Sequence, residues 1–184
     1  EKFLSVTVSI GAAAPGEEGA ALPWIELAIA WPRRNRVEEM VGRLVQLGAA
    51  AIRPLSARQS GPGDPPSKAA QRLERVTREA CKQSRRLWLP LFEPTLTIEE
   101  LAARCTTSCA LAILDPYAGL SLDTWLRSLQ PSPLGLGTRA RPIVLVVGPE
   151  GGLTAEELST LQDRGGALTR LGPHVLRVET AAEA

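Results

Sequence analysis

The sequence predicts an α/β protein in which a mostly parallel β-sheet is flanked by helices. From residue 24 onward, segments with strand patterns alternate with segments of helical periodicity, which is typical of such a sheet. Residues 143–147 are apolar at every position, as in a strand that is covered on both faces. A glycine-rich loop follows directly, and open α/β sheets bind their ligands beyond the carboxyl ends of the strands. The pattern therefore indicates where a ligand site is expected.

Composition excludes several classes of protein. With 184 residues and average apolar content, the chain is long enough for one well-packed domain. No apolar run approaches the about 18–20 residues of a membrane span, and the first residues do not resemble a signal peptide. Three cysteines without a C-x-x-C pair, and a single histidine, argue against a disulfide framework or a zinc site. We therefore expect a reduced, cytoplasmic protein with no metal and no membrane partner.

Overall charge says little about partners. The chain has 21 Lys and Arg residues against 20 Asp and Glu residues. A nucleic-acid surface would therefore have to come from local clustering of basic residues and not from net charge.

The first elements follow from simple patterns. Residues 3–10 alternate in polarity and predict a half-exposed strand, and residues 11–23, rich in Gly, Ala and Pro, predict a linker. Residues 24–30 predict the next strand. Apolar residues at helical spacing come next, and Gly48 is expected to end that helix. These apolar residues are Val37, Met40, Val41, Leu44 and Leu47.

The middle of the chain contains a basic helix. Residues 50–55 predict a short strand and residues 60–67 a loop, before a helix at residues 68–86. That helix carries seven basic and two acidic residues, a local net charge of +5. A charge run of this kind is usually a solvated helix face, so it needs support from other motifs before it indicates a function. A strand is predicted at residues 87–92.

Two capping boxes mark helix starts in the second half. Thr97 with Glu100 predicts a helix that runs to about Arg104, and Thr154 with Glu157 predicts one that begins at about Ala155. The remaining expected elements are strands at residues 109–114, 143–147 and 167–171, and a helix at residues 122–129.

Two glycine-containing motifs occur about twenty residues apart, VGPEGGLT at residues 147–154 and LGPHVLRVETA at residues 171–181. As a pair, in this order, they resemble the motifs of the RsmE-type methyltransferases, which methylate a uridine of 16S ribosomal RNA at N-3 with S-adenosylmethionine. These belong to the SPOUT superfamily, so the resemblance implies a parallel sheet flanked by helices with a C-terminal deep trefoil knot. It covers residues 24–184, the expected SPOUT methyltransferase domain. Residues 1–23 then resemble the remnant of the family's N-terminal PUA-like β-barrel and a linker.

Two departures from the family pattern raise alternatives. The family usually has Thr-Glu-Leu-Gly where this chain has Val45-Gln46-Leu47-Gly48, so a carboxylate is replaced by Gln46. The family's last helix also runs well beyond Thr180-Ala181, whereas this sequence stops at Ala184, which raises the alternative of an incomplete knot. Together these departures motivate a second hypothesis beside an active methyltransferase, namely a catalytically inactive RNA- or ribosome-binding relative.

The resemblance implies that the two motifs and the end of the strand at residues 109–114 form the cofactor cleft. Glycines suit this role because backbone groups must approach the adenine edge closely, and apolar side chains would form the walls. The expected cofactor-binding residues are Leu114, Val147, Gly148, Pro149, Glu150, Gly151, Gly152, Leu171, Gly172, Val175, Leu176 and Arg177.

Methylation of a uridine nitrogen requires a cation near the carbonyl oxygens, where negative charge develops, and a proton acceptor. Arg177 is the candidate cation, and the alternatives are a salt bridge to Glu179 or Glu183, or a contact with a phosphate. Glu150 is the candidate base or a hydrogen-bond anchor inside the loop, and the anchor role is favoured because a carboxylate beside amide donors is well satisfied. The sole histidine, His174, is interpreted as a loop residue.

Basic residues are candidates for contacts with RNA phosphates, and the paired motifs support this interpretation. They are Arg33, Arg34, Arg36, Arg58, Arg85 and Arg86. The resemblance also implies the small ribosomal subunit and a second copy of the chain as partners. A dinucleotide dehydrogenase and a P-loop NTPase are disfavoured, because neither G-x-G-x-x-G nor G-x-x-x-x-G-K-[ST] occurs in the loop.

Overall fold

The computed structural model describes residues 23–32, 34–60, 67–105, 109–129 and 137–184. Over these ranges the chain forms eight strands and six helices that alternate along most of the sequence. Their bounds are β1 Ile25–Ala30, α1 Arg34–Leu47, β2 Ala51–Ser56, α2 Ser67–Ser84, β3 Leu91–Phe92, β4 Leu96–Thr97, α3 Ile98–Arg104, β5 Ala110–Leu114, β6 Leu120–Ser121, α4 Leu122–Ser128, β7 Ile143–Val147, α5 Ala155–Gln162, β8 Ala167–Arg170 and α6 Val178–Glu183.

The strands form one sheet in the order β3-β2-β1-β7-β5-β8-β6. Strand β4 also pairs with β2, nearer to the carboxyl end of β2 than β3 does. Every pairing between these strands is parallel. The carboxyl ends of all strands therefore lie at one edge, which we call the carboxyl edge. The predicted α/β class with a parallel sheet is confirmed.

The sheet is covered on both faces, which explains the uninterrupted apolar sequence of β7. On one face Leu27 and Ile29 of β1 pack in a cluster with residues of α1, α2 and α6. On the other face Ala28 packs in a cluster with residues of α3 and α5. Because successive side chains of a strand point to opposite faces, an apolar run such as that of β7 supplies both clusters.

Helix α1 shows how far periodicity predicts packing. Met40, Val41 and Leu44 are fully buried, as their spacing predicts. Gly48 adopts a left-handed conformation with φ of 95°, and the Ala49 amide donates to the Leu44 carbonyl, so the helix ends there as expected. Leu47 has the same helical spacing, yet it is 63% exposed.

The predicted strand at residues 87–92 is wrong in its first part, because only Leu91–Phe92 pairs with β2. Arg85 has a φ of 57°, and Arg86 follows it in an irregular segment. The Arg86 guanidinium donates to the carbonyls of Val45 and Ala49, at 3.0 and 2.7 Å, and lies 5.4 Å from the ring centre of Trp88. These bonds satisfy carbonyls at the end of α1, which favour a cation.

Several features lie outside the predictions or outside the described residues. Periodicity does not predict α6, because its six residues form less than two turns. The predicted strand at residues 3–10 lies outside the described residues, as does the linker up to residue 22. Within the described ranges, no helix is long and apolar enough to cross a membrane. Cys81, Cys105 and Cys109 form no disulfide bond.

A buried ion pair joins the first two strands. Arg53 Nε donates to Glu26 Oε2 at 2.7 Å, and the two side chains are 8% and 9% exposed. Trp24 Nε1 donates to the other oxygen of Glu26 at 2.9 Å, and Arg53 Nη1 lies 3.2 Å from Glu93 Oε2. Removing one member of such a pair leaves the other charge buried without its partner, which costs more than the intact pair contributes.

We expect Glu26→Ala to lower the free energy of unfolding by about 3–5 kcal/mol, because Arg53 then keeps only the more exposed Glu93 as a counter-charge and Trp24 Nε1 loses its acceptor. Urea denaturation of the purified chain measures this. The matched control is Glu79→Ala, which removes one partner of an exposed pair with Lys82 and should change the free energy by less than about 0.5 kcal/mol. A loss below about 1 kcal/mol for Glu26→Ala would contradict the structural importance of the pair.

Candidate active site at the carboxyl edge

The first of three loops at the carboxyl edge joins β7 to α5. The Gly152 amide donates to the Pro149 carbonyl at 2.8 Å, and Gly152 has a φ of 78°, a conformation that favours glycine. Thr154 caps α5 through the reciprocal bonds of a capping box with Glu157, as the sequence predicts. A strand, a tight turn and a capped helix are thus joined within a few residues.

Glu157 has a second role that its sequence position does not reveal. One carboxylate oxygen accepts from the Thr154 amide at 2.7 Å, and the other accepts from the Arg58 amide at 2.8 Å, 99 residues away. Burial alone would raise the pKa of Glu157, but these amide hydrogen bonds outweigh it and hold the pKa below its ordinary value. The carboxylate therefore fastens the first loop to the turn that follows β2.

Gly151 lies under the same turn. A Cβ atom at Gly151 would stand 1.9 Å from Oε1 of Gln59, so any side chain there would displace Gln59. The glycine-rich sequence of the first loop is therefore required partly by packing within the chain.

The second loop, residues 171–177, connects β8 to α6. Helix α6 is held against α1 by two ion pairs, Arg36–Glu179 at 2.5 Å and Arg43–Glu183 at 3.0 Å. Residues of α1 thus determine where the second loop ends, although they precede it by about 140 positions.

The third loop follows β5. Its backbone turns at Asp115, whose side chain accepts from the Tyr117 amide at 2.7 Å and whose carbonyl accepts from the Ala118 amide at 3.2 Å. Arg170, at the end of β8, donates to the carbonyls of Ala118 and Gly119 at 2.7 Å each. The third loop is therefore fastened to the strand that leads into the second loop.

These three loops surround a cavity of about 420 Å³. They meet because β7, β5 and β8 are neighbours in a parallel sheet. Eleven of the twelve residues predicted to bind the cofactor line the cavity, and Arg177 is the exception. The eleven are Leu114, Val147, Gly148, Pro149, Glu150, Gly151, Gly152, Leu171, Gly172, Val175 and Leu176.

Sequence reasoning missed part of the lining. The third loop contributes Asp115, Pro116 and Tyr117, and His174 lines the cavity from the second loop. The one available signal is that Asp115-Pro116 closes a buried strand at the carboxyl edge, where ligand-binding loops are expected.

The two predicted catalytic residues are placed differently from expectation. Arg177 is exposed at the N-cap of α6, and its alternative partners Glu179 and Glu183 form their ion pairs with α1. Burial would raise the pKa of Glu179, but its hydrogen bonds and the charges of Arg36 and Arg177 outweigh burial and lower it, so Arg177 interacts with Glu179 without an ion pair. Glu150 is exposed and forms no hydrogen bond or ion pair with another described residue, so the anchor role favoured for it is not observed. Glu157 has that role. Glu150 has no partner among the described residues, and Arg177 forms no ion pair with them, although its charge acts on Glu179.

The predicted RNA-binding arginines do not form one patch. Helix α1 has 14 residues and is about 21 Å long at about 1.5 Å per residue, so its two ends lie at opposite edges of the sheet. Arg36 is near its start at the carboxyl edge, and Arg58, which pairs with Glu156 at 2.6 Å, follows β2 there. Arg86 binds carbonyls at the other end of α1, and Arg85 precedes it. Arg33 and the side chain of Arg34 lie outside the described residues.

Gln46, which replaces the family's carboxylate, is exposed on α1 and lines a surface groove between α1 and α2. It is not part of the cavity lining. Across the part of the chain that the structure describes, no group of three or more His, Cys, Asp or Glu residues is arranged to hold a metal ion.

Comparison with known proteins identifies the class. Residues 20–184 match the family model of the RNA methyltransferase domain, so the chain belongs to this family. The chain is similar to the ribosomal RNA small subunit methyltransferase E of Synechocystis, with 32% identity over 163 residues, 85% of this chain and 50% of the relative. The enzyme of the same name from Mycobacterium tuberculosis is 30% identical, over 87% of this chain and 60% of the relative. The chain thus spans 50–60% of the length of these relatives.

Solved structures agree with this class. The ribosomal RNA small subunit methyltransferase E of Neisseria gonorrhoeae, bound to S-adenosylmethionine, is 26% identical with a TM-score of 0.71, over 88% of this chain and 62% of its own. A methyltransferase of Legionella pneumophila with bound S-adenosylmethionine is 27% identical with a TM-score of 0.72, over 88% and 63%. The predicted resemblance and the SPOUT-type α/β fold are confirmed. The knot and the domain division at residue 24 stay predictions.

The bond between Glu157 and the Arg58 amide predicts a specific pH dependence of stability. A carboxyl group whose folded pKa lies below its unfolded value of about 4.3 stabilises the fold above that pH, and this contribution is lost as the pH falls through the folded pKa. We expect Glu157→Gln to be less stable than the unsubstituted chain at pH 7, with the difference closing below about pH 4.

Thermal unfolding between about pH 3 and pH 7 measures this difference. Glu99→Gln is the control, since Glu99 is an exposed glutamate in the first turn of α3 and should show a much smaller pH-dependent difference. A difference for Glu157→Gln that is the same at both ends of the range would show that the carboxylate is not held as its hydrogen bonds indicate.

Proposed function

We propose that this chain is the catalytic part of an S-adenosylmethionine-dependent methyltransferase that modifies a uridine of 16S ribosomal RNA at N-3. The observation that carries the proposal is the meeting of the two glycine-containing motifs around one cavity. Membership in the RNA methyltransferase family supports it, as do similar structures with bound S-adenosylmethionine.

The cavity fits the methyl donor in size and chemistry. A volume of about 420 Å³ lies within the about 300–1,000 Å³ range of small-molecule pockets. Gly172 is informative, because a Cβ atom there would meet nothing within 4 Å and no left-handed φ requires glycine. Packing within the described chain therefore does not explain Gly172. Close approach of a ligand does, and we propose the adenosyl group as that ligand.

Binding at this site would supply an electrophilic methyl group on a sulfonium centre. The residues of the chain would hold the donor and the target base in position, which can contribute several kcal/mol to lowering the barrier. Val147, Leu171 and Leu176 provide apolar walls that limit access of water, and the turn at Pro149 and Gly152 places backbone groups along one side.

Arg177 is the proposed cation for the target base. It lies between Leu176 and Val178, which both line the cavity, and it forms no ion pair among the described residues, although its charge acts on nearby Glu179. When uracil N-3 loses its proton, negative charge spreads onto the neighbouring carbonyl oxygens, where a guanidinium stabilises it. Glu150 is the proposed proton acceptor, since it lines the cavity and has no partner within the described ranges.

We further propose that RNA approaches the carboxyl edge, where Arg36 and Arg58 lie with parts of their side chains exposed. The small ribosomal subunit as the source of the RNA, a homodimer and a cytoplasmic location belong to the same proposal and rest on the family resemblance. The inactive-relative hypothesis rested partly on Gln46, but Gln46 lies outside the cavity lining. That departure is therefore compatible with an active enzyme.

We expect Gly172→Ala to weaken S-adenosylmethionine binding on the order of tenfold, because a methyl group enters space that the ligand fills. Thermal stability should be unchanged, since the added atom meets no protein atom. The matched control is Gly119→Ala, whose Cβ also meets nothing within 4 Å but which does not line the cavity. Isothermal calorimetry measures both. Equal affinities for the two variants would contradict the placement of the donor, and no binding to the unsubstituted chain would contradict the proposed function.

We expect Arg177→Gln to lower the rate of methyl transfer by about 10²–10³ while S-adenosylmethionine affinity stays within about twofold, because the guanidinium acts on charge that develops in the transition state. Transfer of labelled methyl groups to 16S ribosomal RNA measures the rate. The control is Arg164→Gln, an exposed arginine outside the cavity lining, which should be neutral. A parallel loss of donor affinity would instead make Arg177 a donor-binding residue.

A further inference from the structure

Exposed apolar side chains cluster at the mouth of the cavity. Tyr117 is 86% exposed, Val175 is 69% exposed, and both line the cavity from different loops. Single exposed apolar residues are ordinary, whereas several around one opening indicate a surface that a partner covers. Tyr117 is the residue whose exposure most needs an explanation.

The exposure of Tyr117 does not come from a loosely attached loop. Its amide donates to the Asp115 side chain, and the next two carbonyls accept from Arg170. The turn is therefore held on both sides of Tyr117, while the ring itself extends into solvent. A rigid backbone that presents an open aromatic ring is suited to stacking, because little conformational entropy is lost when a planar ligand binds.

The ring is placed for a second ligand beside the one inside the cavity. The glycine loops supply the backbone groups that would read a nucleoside inside, whereas most of the Tyr117 ring lies outside the enclosed volume. Every nucleobase has a π-face that stacks on an aromatic side chain, and enzymes that modify bases take the target base out of its stack.

We propose that Tyr117 is the stacking platform for the target base, a uracil presented by single-stranded RNA at the mouth of the cavity. This proposal rests on the proposed function. It makes Tyr117 a substrate-binding residue of the third loop. Stacking requires the ring and not the hydroxyl group, so a phenylalanine at this position should bind the base as well as tyrosine does.

The experiment compares Tyr117→Ala with Tyr117→Phe. Fluorescence anisotropy measures binding of a labelled single-stranded oligouridine, and steady-state methyl transfer measures KM and kcat for RNA. We expect Tyr117→Ala to weaken oligonucleotide binding and to raise the KM for RNA by about tenfold. Tyr117→Phe should stay within about twofold of the unsubstituted chain, and S-adenosylmethionine affinity should be unchanged in both variants. Leu126→Ala, which removes an exposed apolar side chain of α4 outside the cavity, is the control.

Four outcomes would overturn the stacking role. Unchanged oligonucleotide binding for Tyr117→Ala contradicts the stacking role. A loss of oligonucleotide binding for Tyr117→Phe equal to that for Tyr117→Ala assigns the effect to the hydroxyl group. A loss of S-adenosylmethionine affinity places the ring against the donor, and a change of oligomeric state in analytical ultracentrifugation places it at an interface between copies of the chain. Absence of methyl transfer by the unsubstituted chain contradicts the proposed function. The stacking role of Tyr117 is then still tested by oligonucleotide binding, so the two failures can be told apart.

Discussion

Parallel pairing of β7, β5 and β8 is the constraint on which the site depends. Leu114 is in register with Val147 on one side and with Thr169 on the other, so three strands end at nearly the same level. Each strand is followed by a loop, so the three loops lie side by side at the carboxyl edge. The apolar sequence of β7 serves this arrangement, because a central strand covered on both faces cannot contribute polar side chains until it ends.

Charged side chains then fix the loops from outside the cavity. Glu157 holds the first loop to the turn after β2, Arg36 and Arg43 hold α6 after the second loop, and Arg170 holds the third. Each bond joins segments that are distant in sequence, so each contributes to the geometry of the cavity without entering it. Precise placement of reacting groups requires such support, since small displacements cost large factors in rate.

The elements that could be predicted are those whose signals are local. The capping box at Thr154 and Glu157, the glycine stop at Gly48 and the strand β7 are each encoded within a few neighbouring residues. Features that depend on distant partners could not be predicted from patterns. The sequence around Glu157 contains no sign of the Arg58 amide, and a run of arginines does not show that Arg86 binds the end of α1. The exposure of Leu47 likewise depends on what lies opposite the last turn of its helix.

The charged residues singled out in the sequence differ in whether they have partners within the chain. Arg36, Arg58 and Arg86 looked like RNA contacts in the sequence, yet each has an intramolecular partner. Glu150, which lines the cavity, has no partner among the described residues, and Arg177 beside the cavity forms no ion pair, although its charge acts on Glu179. A polar group that is held near a cavity and left without a partner costs little in water and is available when a substrate displaces that water. Because Arg36 pairs with Glu179 and Arg43 pairs with Glu183, the role proposed for Arg177 does not require an ion pair to break.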